Sequence, residues 1–247
     1  MQRNLIIALH GFLGQGSDWD QVKTDLQSFK PAVAADCQWV TPDLFGTDSK
    51  WLGSSDQFCT NLVENFKSHL KSSQRKIFLG YSLGGRLGLQ LLKNYADQFD
   101  HFIFISAHSG LTTEAEKESR KKSDANWSLK ISSENWSQFL QEWNEQDVLK
   151  SNVTVPVRQQ KDFSLEALQS SLSMWSLGEQ QDLRKLIKIH QQKITWAVGA
   201  KDLKFLSLAE ELLQKKILLD ISRIFSGHRI LFENPKELVS ILFHQLR

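Results

Sequence analysis

The chain has 247 residues, 30 lysines and arginines against 28 acidic residues for a formal charge of +2, and two cysteines, Cys37 and Cys59. A length of this order buries one sizeable core and suits a single domain carrying an insertion. The near-balanced charge speaks against a nucleic-acid-binding surface, two cysteines supply neither a disulfide framework nor a metal set, and no run approaches the roughly eighteen apolar residues of a membrane span.

Short apolar runs alternate with stretches of helical period, the pattern of a parallel sheet covered by helices on both faces. Residues 1–4 lead straight into the apolar run 5–9, which is too short for a signal-peptide core and is followed by His10-Gly11 instead of a cleavage site. The run therefore reads as the first strand of a soluble, cytoplasmic protein. A helix is expected over 19–29, a strand over 38–40 and a helix over 56–70, where Phe58, Leu62, Val63, Phe66 and Leu70 form one stripe opposite Glu64, Lys67 and Lys71. A strand over 76–79, a helix over 85–95 and a strand over 102–106 follow. Residues 111–190 break the alternation, with no strand pattern, many Glu, Lys, Ser and Gln, and yet Trp127, Trp136, Trp143 and Trp175. They read as a helical cap inserted into a core made of 1–110 and 191–247, its tryptophans covering either the domain below or a ligand. Strands over 194–198 and 217–224 and helices over 206–213 and 235–246 complete the chain.

One motif carries chemistry. Ile77-Phe78-Leu79 runs into Gly80-x-Ser82-x-Gly84 and then into a helical pattern, the context of a nucleophile elbow. Glycines flank the serine because side chains there would collide with neighbouring backbone, and the turn leaves the Leu83 amide at the positive end of the next helix, facing a developing oxyanion. In an open α/β sheet, ligands bind beyond the carboxyl ends of the strands, so an acid and a base are expected after late strands. Asp202 follows the run 194–198, and His228 follows the run ending at Phe225; the order Ser82, Asp202, His228 is that of an α/β-hydrolase triad. Asp220 lies inside a strand candidate, and His69, His101, His190 and His244 suit satisfied structural histidines better. The loop after the first strand, His10-Gly11-Phe12-Leu13-Gly14, supplies a second oxyanion donor in the Phe12 amide, with His10 structural. The basic triplet Arg120-Lys121-Lys122 reads by residue type as a solvated helix face.

Five segments together make a more specific resemblance: His10 to Gly14 with Trp19; Gly80-Tyr81-Ser82-Leu83-Gly84-Gly85-Arg86; Ser106-Ala107-His108-Ser109-Gly110-Leu111; Gly199 through Phe205; and Gly227-His228. They resemble the family of 2-succinyl-6-hydroxy-2,4-cyclohexadiene-1-carboxylate synthases of menaquinone and phylloquinone synthesis, and the likeness runs from Leu5 to about Pro235. Ser109 stands where that family usually has proline and Leu231 where it often has a second histidine; neither belongs to the triad. The resemblance implies an α/β-hydrolase fold with a helical cap and a lyase that needs no metal or organic cofactor. It also implies a small tricarboxylate substrate and no nucleic-acid or membrane partner. Arg86, four residues after Ser82 and on the same helix face, would hold a substrate carboxylate, with a salt bridge to a nearby acidic residue as its alternative. Arg120 and Arg158 correspond to the family's other carboxylate-binding arginines, and Tyr81 and Trp143 to pocket-lining residues. An ester or thioester hydrolase using the same triad through an acyl-enzyme is the competing expectation.

Overall fold

A computed structural model describes residues 3–247. Met1 and Gln2, which the expected core range 1–110 includes, lie outside them. Six strands, β1 (Asn4–Leu9), β2 (Cys37–Val40), β3 (Lys76–Tyr81), β4 (His101–Ile105), β5 (Ile194–Gly199) and β6 (Ser222–Ile224), pair in parallel in the order β2-β1-β3-β4-β5-β6. A sheet buried on both faces needs apolar residues on both, and the central strands β1, β3 and β4 are near-continuous hydrophobic runs, whereas the edge strands β2 and β6 are less buried. Leu5, Ile7 and Leu9 of β1, with Phe78, Phe102, Phe104 and Trp196, pack on one face; Ile6 and Ala8, with Ile77, Leu79, Ile103 and Ile105, pack on the other. The first face is covered by α3 (Ser55–Asn65), α5 (Leu83–Tyr95) and α10 (Leu203–Gln214), the second by α1 (Asp20–Phe29), α11 (Ile230–Glu233) and α12 (Pro235–Gln245).

Between β4 and β5 the chain forms helices only: α6 (Glu114–Lys130), α7 (Trp136–Asn144), α8 (Leu165–Met174) and α9 (Arg184–Ile189). Trp136 and Trp175 are buried, and their indole N–H groups donate to the carbonyls of Arg158 and Gly53, both at 3.0 Å.

Two local expectations are corrected, and one short helix was not expected. The helix expected over 56–70 breaks at Phe66 (φ −108°, ψ 16°) into α3 and α4 (Lys67–Ser72). The strand expected over 217–224 shrinks to β6, because Ile217, Leu218 and Ile221 bury themselves in the core from an irregular connection. A short helix, α2 (Pro31–Ala35), started by proline at its first position, had no apolar stripe to announce it. Burial raises the thiol pKa of Cys37 to about 11 and that of Cys59 to about 12, as suits small apolar packing groups. No helix among the described residues is long and apolar enough to cross a membrane, and no group of three or more His, Cys, Asp or Glu could hold a metal ion.

Candidate active site

The strand order reverses direction at β1, with β2 on one side and β3 on the other, and the crevice beyond the strands' carboxyl ends at such a point is where ligands bind. Ser82 stands there between β3 and α5. Its backbone (φ +53°, ψ −109°) is a conformation that a serine holds only when its surroundings impose it. They do so by close approach: a Cβ on Gly80 would sit 2.6 Å from the Gly84 carbonyl oxygen, and one on Gly84 would collide with the Leu9 carbonyl. The Ser82 amide donates to the Ile105 carbonyl at 2.8 Å, which fixes the turn to the neighbouring strand.

Asp202 and His228 reach the same place from the ends of β5 and β6. Their loops touch so closely that a side chain on Gly199 would strike the Gly227 carbonyl, and the Lys201 amide donates to the Ser226 carbonyl at 2.9 Å. Asp202 caps α10 through Oδ1, which accepts from the Phe205 amide at 3.4 Å, and presents Oδ2 to His228 Nδ1 at 2.6 Å. His228 Nε2 lies 3.2 Å from Ser82 Oγ. Asp202 and His228 are 5% and 4% exposed, so the carboxylate acts on the imidazole without competition from bulk water. The imidazole is flanked by the rings of Phe205 at 4.6 Å and Tyr81 at 5.5 Å. With Asp202 accepting from Nδ1–H, the lone pair on Nε2 is aimed at the Ser82 hydroxyl. Among the described residues, neither the Phe12 nor the Leu83 amide donates within the protein, leaving both for an oxyanion. His10 is buried and spans two loops: the Leu44 amide donates to its Nε2 at 3.0 Å and its Nδ1–H donates to the Gly11 carbonyl at 2.7 Å.

A cavity of about 140 Å3 opens over Ser82 and is lined by Phe12, Leu83, Arg86, Arg120, Trp143 and His228, and also by His108 and Lys204, which sequence reasoning left without a role. Arg86 has no carboxylate within 4.0 Å among the described residues; its Nη1 donates to the Trp175 carbonyl at 2.8 Å. The alternative of a salt bridge is thus not formed. Burial, with the neighbouring Arg120 adding to it, pushes its pKa down to about 9, which leaves it charged near neutral pH. Arg120 is held by Asp124, whose two oxygens accept from Nε at 2.9 and 2.8 Å, and Asp124 also accepts from Ser176 at 2.7 Å. Its neighbour Lys121 is paired with Glu118 and Glu179, so only Arg120 of the basic triplet turns inward. His108 accepts from the Gly110 amide through Nδ1 at 3.0 Å, and burial among cations holds its pKa near 3, so it is neutral with its proton on Nε2.

Tyr81 and Arg158 line a neighbouring cavity of about 250 Å3 that shares Phe12, Trp143 and Leu149 with the first. Arg158 is spoken for: its Nη2 meets both oxygens of the buried Asp18 at 2.7 Å and its Nη1 donates to Gln15 at 3.1 Å. Arg229, another residue the sequence did not single out, lines this second cavity and donates to the Leu149 carbonyl at 2.7 Å and to Asn144 Oδ1 at 2.6 Å.

A serine on a strand-to-helix elbow, a histidine and aspartate from later strand ends, and two cavity-lining residues whose amides have no acceptor in the protein make a hydrolase-type arrangement, and the chain belongs to the Alpha/beta hydrolase family, whose pattern it matches over residues 6–241. Among its relatives, the 2-succinyl-6-hydroxy-2,4-cyclohexadiene-1-carboxylate synthase of Citrobacter koseri is 28% identical across 98% of this chain and 93% of the relative. The protein of that name from Salmonella typhimurium is 26% identical across 98% and 93%. Of solved structures, MenH from S. aureus superposes with a TM-score of 0.83 at 20% identity, covering 100% of this chain and 94% of that one. A thermophilic esterase from Thermogutta terrifontis superposes at 0.73 with 16% identity, covering 100% and 90%.

Proposed function

We propose that this chain is a cytoplasmic carbon–oxygen lyase that eliminates pyruvate from 2-succinyl-5-enolpyruvyl-6-hydroxy-3-cyclohexene-1-carboxylate, giving 2-succinyl-6-hydroxy-2,4-cyclohexadiene-1-carboxylate in quinone synthesis. The observation that carries the reading is Arg86, a guanidinium inside the Ser82 cavity with no carboxylate of its own. A neutral ester would leave that charge uncompensated, whereas an anionic substrate pairs it. The names of the full-length relatives support the same reaction.

In this mechanism the pair of Ser82 and His228, oriented by Asp202, takes the proton α to the succinyl ketone. The electron pair left on carbon shifts through the ring double bond as the bond to the enolpyruvyl oxygen breaks; the departing enolate is protonated on carbon, which accounts for the proton taken by His228, and leaves as pyruvate. The Phe12 and Leu83 amides stabilise the negative charge that develops on the ketone oxygen. The step balances without an oxidant, a metal or an organic cofactor.

The geometry of Ser82, His228 and Asp202 serves an esterase or thioesterase equally well, with Ser82 as covalent nucleophile. Pyruvate release from the enolpyruvyl substrate, measured beside hydrolysis of simple esters, separates the two. The lyase reading expects fast pyruvate release and no mass increase on Ser82 in quenched reactions of the natural substrate. Fast ester turnover without pyruvate, or a stable adduct on Ser82, overturns it.

A further inference from the structure

We infer that Lys204 is a carboxylate-binding group of this site and takes the third place in a tricarboxylate cradle with Arg86 and Arg120. The inference rests on the substrate class of the proposed elimination; the assignment of Lys204 within it comes from the structure. Arg158, the residue that the resemblance offers for that place, lines the other cavity and is held by both oxygens of buried Asp18. Moving it to a ligand would strand Asp18 as a buried unpaired charge, which is more costly than leaving the pair intact.

Lys204 is a solvent-exposed residue whose side chain also lines the Ser82 cavity. It lines the cavity with Ser82, Arg86, Arg120 and His228, and among the described residues its ammonium has no salt bridge and no hydrogen-bond acceptor. It belongs to the first turn of α10, two residues after the capping Asp202. A cation there opposes the helix dipole, so local helix stability does not explain its presence. Its attractive contacts are weak: Nζ lies 5.8 Å from the Phe205 ring centroid. Partial burial, reinforced by the Arg120 guanidinium, holds its ammonium below the ordinary lysine range, with Asp202 opposing. The same Arg120 lowers Arg86, and all three cations lower His108. Three cations thus face one cavity against Asp124, already held by Arg120, and Asp202, already held by His228. A bound carboxylate relieves the repulsion among the three cations. A lysine suits this place because its long flexible stem can follow a carboxylate that is not fixed in a planar fork.

The test compares wild type, Lys204→Met and Lys204→Arg. Pyruvate release is followed through a lactate dehydrogenase couple at two salt concentrations, and binding of tricarballylate, a compact tricarboxylate, is measured by calorimetry. Lys204→Met should raise KM about tenfold at low salt with a much smaller change in kcat, the size expected for one charge-assisted hydrogen bond. Lys204→Arg should recover most of that loss. Melting temperature should not fall in Lys204→Met, whereas a structural lysine would lower it. A Lys204→Met enzyme with wild-type KM at both salts overturns the assignment and leaves the elimination standing. If wild type releases no pyruvate, the elimination falls. The lysine's role then stands only if tricarballylate binds wild type and is weakened several-fold by Lys204→Met; equal binding, or none to either protein, overturns it too.

Discussion

Replacing Asp202 by asparagine changes one atom and keeps the shape, so it isolates what the carboxylate does. Asparagine Oδ1 can still accept from the Phe205 amide and cap α10. The atom 2.6 Å from His228 Nδ1 then becomes an NH2 group, and two donors face each other. The imidazole relieves this by moving its proton to Nε2, where no lone pair remains for the Ser82 hydroxyl 3.2 Å away. If the amide turns over instead, the cap is lost, at about 1 kcal/mol, and a neutral oxygen replaces the charge that stabilises the imidazolium. At 2.6 Å and an effective dielectric constant of about 20, that attraction has a ceiling of about 6 kcal/mol, or about four decades in rate. The wrong tautomer costs a serine protease triad about 10^4 in kcat, so Asp202→Asn should lose at least about a hundredfold here, with KM changed little. The assay is pyruvate release under saturating substrate, with circular dichroism confirming a folded protein. A folded Asp202→Asn enzyme that retained more than about a tenth of wild-type kcat would refute the claim that His228 works through Asp202.

Arg86→Lys should lower kcat/KM by about tenfold or more, since an ammonium cannot reproduce the planar two-pronged contact; wild-type kinetics with a lowered melting temperature would make Arg86 structural. His101 is buried on β4, its Nε2 2.8 Å from Thr195 Oγ1, and burial with Arg75 nearby lowers its pKa from 6.5 to about 4. The unfolded chain therefore binds this proton more readily, so the stability it contributes is complete above about pH 6.5 and is lost as pH falls toward 4. Urea unfolding at pH 7 and pH 5 should show a difference on the order of 2 kcal/mol that His101→Gln reduces; an identical pH dependence in both proteins would contradict the assignment.

The elbow was legible because its requirement is local: Gly80, Ser82 and Gly84 are spaced by the turn they make, and Asp202 and His228 follow apolar runs that end where β5 and β6 end. The pattern of apolar runs predicted five of the six strands closely, four of them (β1, β3, β4 and β5) largely buried and β2 half-buried. It overextended the sixth, since Ile217, Leu218 and Ile221 are equally apolar and equally buried without pairing to a neighbour. What escaped the sequence was long-range partnership. Nothing near Arg158 announces that Asp18, 140 residues earlier, holds it. Lys204 and Arg229 look like ordinary charged residues until the loops after β5 and β6 are brought against the inserted helices.

Serine at position 82 occupies a backbone region that glycine enters freely, and the strain is of order 1–3 kcal/mol. Ser82→Gly would release that strain while forfeiting one hydrogen bond to His228 and adding chain freedom to the unfolded state, terms of about 1 kcal/mol each. The opposing terms nearly cancel, so thermal robustness carries almost no record of this residue. Any ranking of natural variants or library clones by melting behaviour alone will pass over the hydroxyl to which the proposed elimination assigns the proton relay.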